Sequence, residues 1–441
     1  MTVRRRTPLA LAALAVATLG LPAHAVLPGD PLTGDLLTGN PAPPIAASVV
    51  IEPVALQGED PAAVEDLAAR VNAALATGTA HTIGAAVDVD GLGVVVRRDA
   101  AHALPPASTQ KSFTAVAALL ALPTGFRYTT EVAARAKPAA GILPGSIWLV
   151  AGGDPYLTRS GLRALAHSVR AAGVTYVAAD LLLDDSRYDA RRHADGWKSS
   201  FVPDESGPLS AMSVDQNQWR HDSFFLSDPA QPAAQLFRDY LKAEGVTVHG
   251  VIKRMRRPAD AQPIASRQSG PLQAVLRRTL KDSNNFAAEL VLKEIGKVVS
   301  GNPSSAGGHA AVREVLADRG VAAGTGSDGS GLSAYDRQTA TAQLALLQAV
   351  DASPSAADFR SALPVACGDG TLEKRMCNTA AAGRLFAKTG TLPGVRALAG
   401  YTTTVSGRSV WFSFQLTGIS DGLKARNALD AAAVVLASAT E

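Results

Sequence analysis

The chain has 441 residues, more than one ordinary hydrophobic core organises, so two or three domains are expected. A formal net charge of +3 with 18% charged residues excludes both a disordered chain and a broad nucleic-acid-binding surface. The eight histidines show no ligand spacing, so no metal centre is indicated.

In chain order, Arg4-Arg5-Arg6, the short apolar stretch Leu9 to Leu21 and Ala23-His24-Ala25 form an export signal over residues 1–25. The stretch is short for a bilayer, so a cleaved signal is expected over a membrane anchor. The arginine run leaves open the general or the twin-arginine route. The mature chain is expected to begin near Val26, in the periplasm or cell-wall space, with no later transmembrane span. Residues 26–61 are a proline-rich leader.

Helical spacing begins with Val64, Leu67, Val71 and Leu75, and Thr82 to Arg97 reads as two strands around Asp90-Gly91. A buried helix follows over Phe113 to Leu122. Residues 128–263 have a mixed α/β texture, with strand-like runs at Ile147 to Ala151, Tyr176 to Asp184 and Val246 to Met255. They are read as an inserted region. The basic run Lys253 to Arg257 is read there as a solvated strand end. Helices return at Leu272 to Leu280 and Phe286 to Val299. The chain closes with strands Arg396 to Thr404 and Ser409 to Leu416, then a helix over Leu423 to Ala437. Outside the cytoplasm, Cys367 and Cys377 are expected to pair; two free buried thiols are the alternative.

Three short motifs carry the chemistry. In Ser108-Thr109-Gln110-Lys111, serine and lysine stand three apart at a helix start, on one face. A serine hydroxyl needs a base, and an apolar wall pushes a lysine towards its neutral form. In Ser283-Asn284-Asn285, between two helices, a hydroxyl can relay a proton and a carboxamide can hold a substrate backbone. In Lys388-Thr389-Gly390-Thr391, lysine and threonine suit a terminal carboxylate, and Gly390 permits close approach. The N–H groups of Ser108 and Thr391 are candidates for an oxyanion hole. Taken singly, each motif also reads as an ordinary helix cap or turn.

Together, in this order, the motifs resemble the serine D-alanyl-D-alanine carboxypeptidases and endopeptidases of the low-molecular-mass penicillin-binding proteins, in the class C branch with inserted domains. Gly152-Gly153-Asp154-Pro155, Asp184 to Tyr188, Ser330-Gly331-Leu332-Ser333, Tyr335-Asp336-Arg337 and Asp369 to Leu372 are similar to phrases of that branch. The resemblance implies an α+β penicillin-binding, serine β-lactamase-like transpeptidase fold: an antiparallel five-stranded sheet flanked by helices, beside a helical subdomain. The catalytic domain would be residues 62–127 with 264–441, interrupted by the insert at 128–263.

The resemblance further implies acylation of Ser108 with Lys111 as base and Ser283 as relay. Asn285, Lys388, Thr389 and Thr391 would bind substrate, and no cofactor is needed. Expected partners are peptidoglycan stem peptides ending in D-Ala-D-Ala, and β-lactams as covalent inhibitors. One departure is Asn284, where the family usually has aspartate. The rival readings are a β-lactamase, for which no glutamate base stands in a persuasive context, and a wall-binding sensor with a dead site.

Overall fold

Alternation along a strand sends successive side chains to opposite faces, so a strand apolar at both parities must be covered twice. The strand Thr82–Val89 has that pattern. The computed structural model describes residues 61–440, apart from 77 and 221. The expected export signal and all of the leader before Pro61 lie outside the described residues.

Helix α1 (Pro61–Leu75) leads into β1 (Thr82–Val89) and β2 (Gly93–Arg98), and a 3-10 turn, Ala107–Thr109, opens α2 (Gln110–Ala121). The middle of the chain holds β3 (Thr129–Ala134), β4 (Ile142–Leu143), β5 (Ile147–Val150), α3 (Arg159–Ala171), β6 (Tyr176–Val177) and β7 (Leu181–Asp184). There follow the short α4 (Phe201–Asp204) and α5 (Ser223–Ser227), α6 (Ala230–Ala243), β8 (Thr247–Val248), β9 (Ile252–Arg254) and β10 (Gln262–Gln268). Next come α7 (Leu272–Lys281), α8 (Asn285–Ser300), α9 (Ser305–Ala317), α10 (Ala340–Asp351) and α11 (Ala356–Ala362). Strands β11 (Phe386–Leu392), β12 (Val395–Thr403) and β13 (Ser409–Thr417) and helix α12 (Gly422–Ala437) complete the described chain.

The first sheet has the order β11-β12-β13-β1-β2, antiparallel throughout, so early and late parts of the described chain meet where β1 pairs with β13. On one face Val87, Phe412, Phe414 and Leu416 pack with Leu67, Val71 and Leu75 of α1 and Leu429 and Leu436 of α12. On the other, Ala86 meets Ala340 and Leu344 of α10. Ala399 and Tyr401 of β12 join the helical core of Phe113, Val116, Leu292 and Leu346. Burying each such large apolar side chain contributes about 1.5–3 kcal/mol, which makes this double cover the main hold on the sheet.

All strands of the other two sheets come from the middle of the chain: β10-β3-β5-β7-β9 and a small parallel β4-β6-β8. The runs read from sequence as single strands, Tyr176 to Asp184 and Val246 to Met255, each break in two and cross from the small sheet to the large one. Where they break, Gly250 lies against Ala179 and Asp180 and donates its N–H to the Ala179 carbonyl at 2.9 Å; a β-carbon there would stand 2.8 Å from that oxygen. The basic run sits on the edge strand β9, where Lys253 pairs with Asp180 at 2.7 Å and Arg254 pairs with Asp185 and Asp228.

Helix α8 joins the two parts. Its Phe286 and Leu290 are buried in the core of the middle region, while Val291, Leu292 and Ile295 belong to the helical core. The buried Glu294 accepts two bonds from Arg187, at 2.9 and 2.6 Å, and one from the Tyr188 hydroxyl at 2.8 Å. This bidentate clamp fixes the helix whose first residue is Asn285.

Candidate active site

The site is assembled around the turn before α2. Ala107 is held at φ +48°, a left-handed conformation that costs a non-glycine residue about 1–3 kcal/mol and persists only when its surroundings enforce it. Two bare backbones enforce it. A β-carbon at Gly331 would stand 1.9 Å from the Ala107 carbonyl oxygen, and one at Gly390 would stand 2.8 Å from that of Pro106. Gly390 therefore lets β11 press on the protein's own turn, a close approach that from sequence is expected of a substrate. Thr109 closes the turn by donating to Pro106 O at 2.8 Å, and Ser108 is left partly exposed.

Lys111 is one helical turn on and fully buried. Its Nζ donates to Ser108 Oγ at 2.8 Å, to Asn285 Oδ1 at 2.7 Å and to the Ser330 carbonyl at 2.6 Å. Burial pulls the amine down to about 8, while Asp328 first, then Glu289, Glu205 and Asp336, pull the other way. A lysine so placed loses its proton at about pH 8, well below the ordinary lysine value, and lies within reach of the serine hydroxyl.

Ser283 lies between α7 and α8 at φ +54°, and its hydroxyl accepts from Lys388 Nζ at 2.9 Å. Asn284 is the N-cap of α8: its side-chain oxygen accepts from Ala287 N at 2.8 Å, while its amide donates to Gln216. Asn285 is thereby free of capping. It reaches Lys111 with its oxygen and donates from Nδ2 to the Glu205 carbonyl at 3.0 Å.

The third motif lies on β11, the edge of the first sheet. Lys388 is fully buried and also donates to Thr389 O at 2.9 Å. Burial, and then the charge of Lys111, hold its amine well below the usual lysine range. The Thr389 and Thr371 hydroxyls lie 2.9 Å apart. Thr371 belongs to a loop spanned by the disulfide Cys367–Cys377 and pinned by Asp369, which takes Lys281 Nζ at 2.7 and 2.6 Å. Thr391 is exposed and opens on a cleft of about 450 Å³ shared with Phe201, Glu205, Leu332 and Arg396. Two hydroxyls, two desolvated amines and an edge strand in one place suit acyl transfer to serine from an extended peptide.

A profile of the D-Ala-D-Ala carboxypeptidase 3 (S13) family matches residues 67–223 and 215–439. The chain belongs to this family. It is a serine D-Ala-D-Ala carboxypeptidase, related to the penicillin-binding proteins. A D-alanyl-D-alanine carboxypeptidase of Actinomadura sp. (strain R39) is 31% identical over 386 residues, covering 69% of this chain and 72% of its own. Carboxypeptidase DacB of Mycolicibacterium smegmatis is 31% identical over 424 residues, covering 90% and 89%. The crystal structure of penicillin binding protein 4 from Haemophilus influenzae superposes with a TM-score of 0.73 at 23% identity, covering 83% of this chain and 98% of that one. The fold is the α+β penicillin-binding one.

The peptidase's site also contains groups to which the sequence reading gave no role. The Ser330 and Glu205 carbonyls hold Lys111 and Asn285, and a backbone oxygen leaves no trace in residue type. Thr371 and Asp336 lie in family-like phrases whose sequence alone carries no chemical reason. Among the described residues no helix is long and apolar enough to cross a membrane, and no cluster of side chains suits a metal ion.

Proposed function

We propose that Ser108 is the acylated nucleophile and Lys111 its base, acting on peptidoglycan stem peptides that end in D-Ala-D-Ala. The observation that carries this reading is the three-way hold on Lys111 Nζ, which aims a desolvated amine at Ser108 Oγ. Ser108 Oγ attacks the penultimate D-alanine carbonyl, its proton passing to Lys111. The N–H groups of Ser108 and Thr391 stabilise the oxyanion. The C–N bond breaks and the departing D-alanine amine takes a proton through Ser283. Water then cleaves the acyl ester and restores the serine hydroxyl.

Asn285 positions the substrate backbone, and Thr389 with Lys388 receives the terminal carboxylate. A carboxylate arriving there favours the charged form of Lys388, which the free site disfavours. β-Lactams acylate the same serine; the Haemophilus protein was solved with a β-lactam and a Bdellovibrio bacteriovorus endopeptidase as its penicillin G acylated form. The working chain is exported to the periplasm or cell-wall space. Residues 62–127 and 264–441 form the catalytic domain and 128–263 the insert.

The test is incubation with purified muropeptides. Free D-alanine from pentapeptides marks carboxypeptidase action, and splitting of cross-linked dimers marks endopeptidase action through the same acyl-enzyme. Release of neither product, by protein that labelled penicillin also leaves unmodified, would sink the proposal. Labelled penicillin further separates it from a β-lactamase: the label is expected to stay on Ser108 and leave slowly. Glu289 does not supply the missing lactamase base, since it is fully buried and accepts from Gly329 N and Ser330 N at 2.8 and 2.9 Å.

A further inference from the structure

We infer that Asp328 is a positioning residue of this peptidase: it holds the Ser330 carbonyl on Lys111 and, through Trp197, ties that contact to the middle region of the chain. The inference rests on Ser108 and Lys111 acting as proposed above.

Asp328 is fully buried, and four donors converge on it. Its Oδ1 accepts from Gly331 N at 2.7 Å. Its Oδ2 accepts from Ser330 Oγ at 2.9 Å, Ser333 N at 2.9 Å and Trp197 Nε1 at 2.7 Å. One carboxylate thus folds residues 328–333 around itself, as an acceptor for every contact. The fold of that turn has two consequences at the reacting pair. It turns the Ser330 carbonyl to Lys111 Nζ at 2.6 Å, and it carries Gly331 onto the Ala107 carbonyl. Both sides of the Ser108–Lys111 pair therefore lean on one buried side chain.

Trp197 adds the reach across the molecule. It is 131 positions from Asp328 and comes from the middle region, as do the Glu205 carbonyl on Asn285 and the Gln216 side chain on Asn284. The middle region's contribution to the reaction is to fix groups that in turn fix Lys111 and Asn285.

A buried aspartate that merely stabilises a turn predicts a different outcome from one that acts on Lys111. The charged and titratable groups facing Lys111 are Asp328, Glu289, Glu205 and Asp336, with Lys388 on the sheet side. Among the acids Asp328 acts most strongly on Lys111, and its charge also holds the Glu289 and Asp336 carboxyls up, so removing it changes the pH at which Lys111 gives up its proton.

The experiment measures acylation by a chromogenic β-lactam against pH for the full mature chain, with melting temperature as the folding control. For Asp328→Asn the plateau rate is expected to fall by about a hundredfold, the scale of a misplaced reacting group, and the acid limb to be displaced. Trp197→Phe keeps the charge and removes one donor. Its plateau is expected to fall about tenfold, with the limb unmoved. A folded Asp328→Asn protein with the wild-type plateau, or with a lower plateau and an unmoved limb, overturns the assignment. If that variant does not fold, a wild-type rate in Trp197→Phe overturns it. Ser108→Ala separates the two readings: acylation surviving there defeats the nucleophile itself, whereas acylation lost there with wild-type Asp328→Asn defeats only the positioning role.

Discussion

Asn285 and Lys111 are 174 positions apart in the chain and meet at 2.7 Å, carboxamide oxygen to ammonium. That contact brings the start of α8 and the start of α2 together at Ser108. Asn285→Ala removes it and frees the Glu205 carbonyl as well, so acylation should slow by about ten- to a hundredfold. Asn285→Asp tests the electrostatics at nearly constant shape. A carboxylate on the amine favours its charged form, so the acid limb of acylation should move to higher pH. An unmoved limb in a folded Asn285→Asp protein would show that Lys111 is not the titrating base.

In the wild-type chain the reactive form of Lys111 is the neutral amine, and burial brings its proton loss to about 8. Below that pH the lysine holds its proton and cannot take one from Ser108. Acylation should therefore rise as pH is raised through about 8 and level off above it. Stopped-flow acylation from pH 6 to 10 reads this directly, and a rate falling through that interval contradicts it.

Gly331 and Gly320 both adopt left-handed backbone, at φ +82° and +72°, yet they differ in surroundings. Nothing lies within 4 Å of a β-carbon at Gly320, whereas one at Gly331 meets Ala107 O at 1.9 Å. Gly320→Ala should cost only the backbone preference, about 1–2 kcal/mol, with activity kept. Gly331→Ala should cost more and should also displace the Ser108 turn, with loss of penicillin labelling. Melting temperature and labelling, measured on both proteins, check the contrast.

Glu289 is fully buried and its carboxyl is pushed up to about 8, chiefly by burial and then by the charge of Asp328. The folded protein thus holds a proton that the unfolded chain releases near the ordinary carboxyl value of 4.5. Glu289's contribution to stability is complete below that value and is lost as pH rises to about 8. Glu289→Gln does not titrate, keeps an oxygen for Gly329 N and Ser330 N, and finds Ser305 Oγ beside its amide. Its stability relative to wild type should improve from pH 5 to pH 9, read by denaturant unfolding at both. A difference that shrinks or stays constant contradicts the assignment.

Much of this architecture was legible in the residues, because strong periodicity and turn chemistry are local. Val64 to Leu75, Thr82 to Arg97 and the final two strands and helix lie within a few residues of their expected places. The runs at Tyr176 and Val246 do not show their breaks, because apolar continuity does not reveal a crossing between sheets, and the contact of Gly250 with Ala179 at that level is non-local. At the site, the motif residues were visible as types in order. What joins them was not, since Lys111 is held by the carbonyl of Ser330, 219 positions away, and Asn285 by that of Glu205. Asn284, a departure from the family's usual aspartate, has a local reason to be polar: it caps α8 with its side-chain oxygen.

The central claim is that Ser108 forms the covalent bond to substrate. The most direct measurement is mass spectrometry of the mature chain after reaction with penicillin, followed by peptide mapping, on wild-type and Ser108→Ala proteins, with D-alanine release assayed in parallel. A single adduct on the peptide containing Ser108, absent from the variant together with D-alanine release, is the predicted result. An adduct on another residue, or a Ser108→Ala protein that still releases D-alanine, would contradict it.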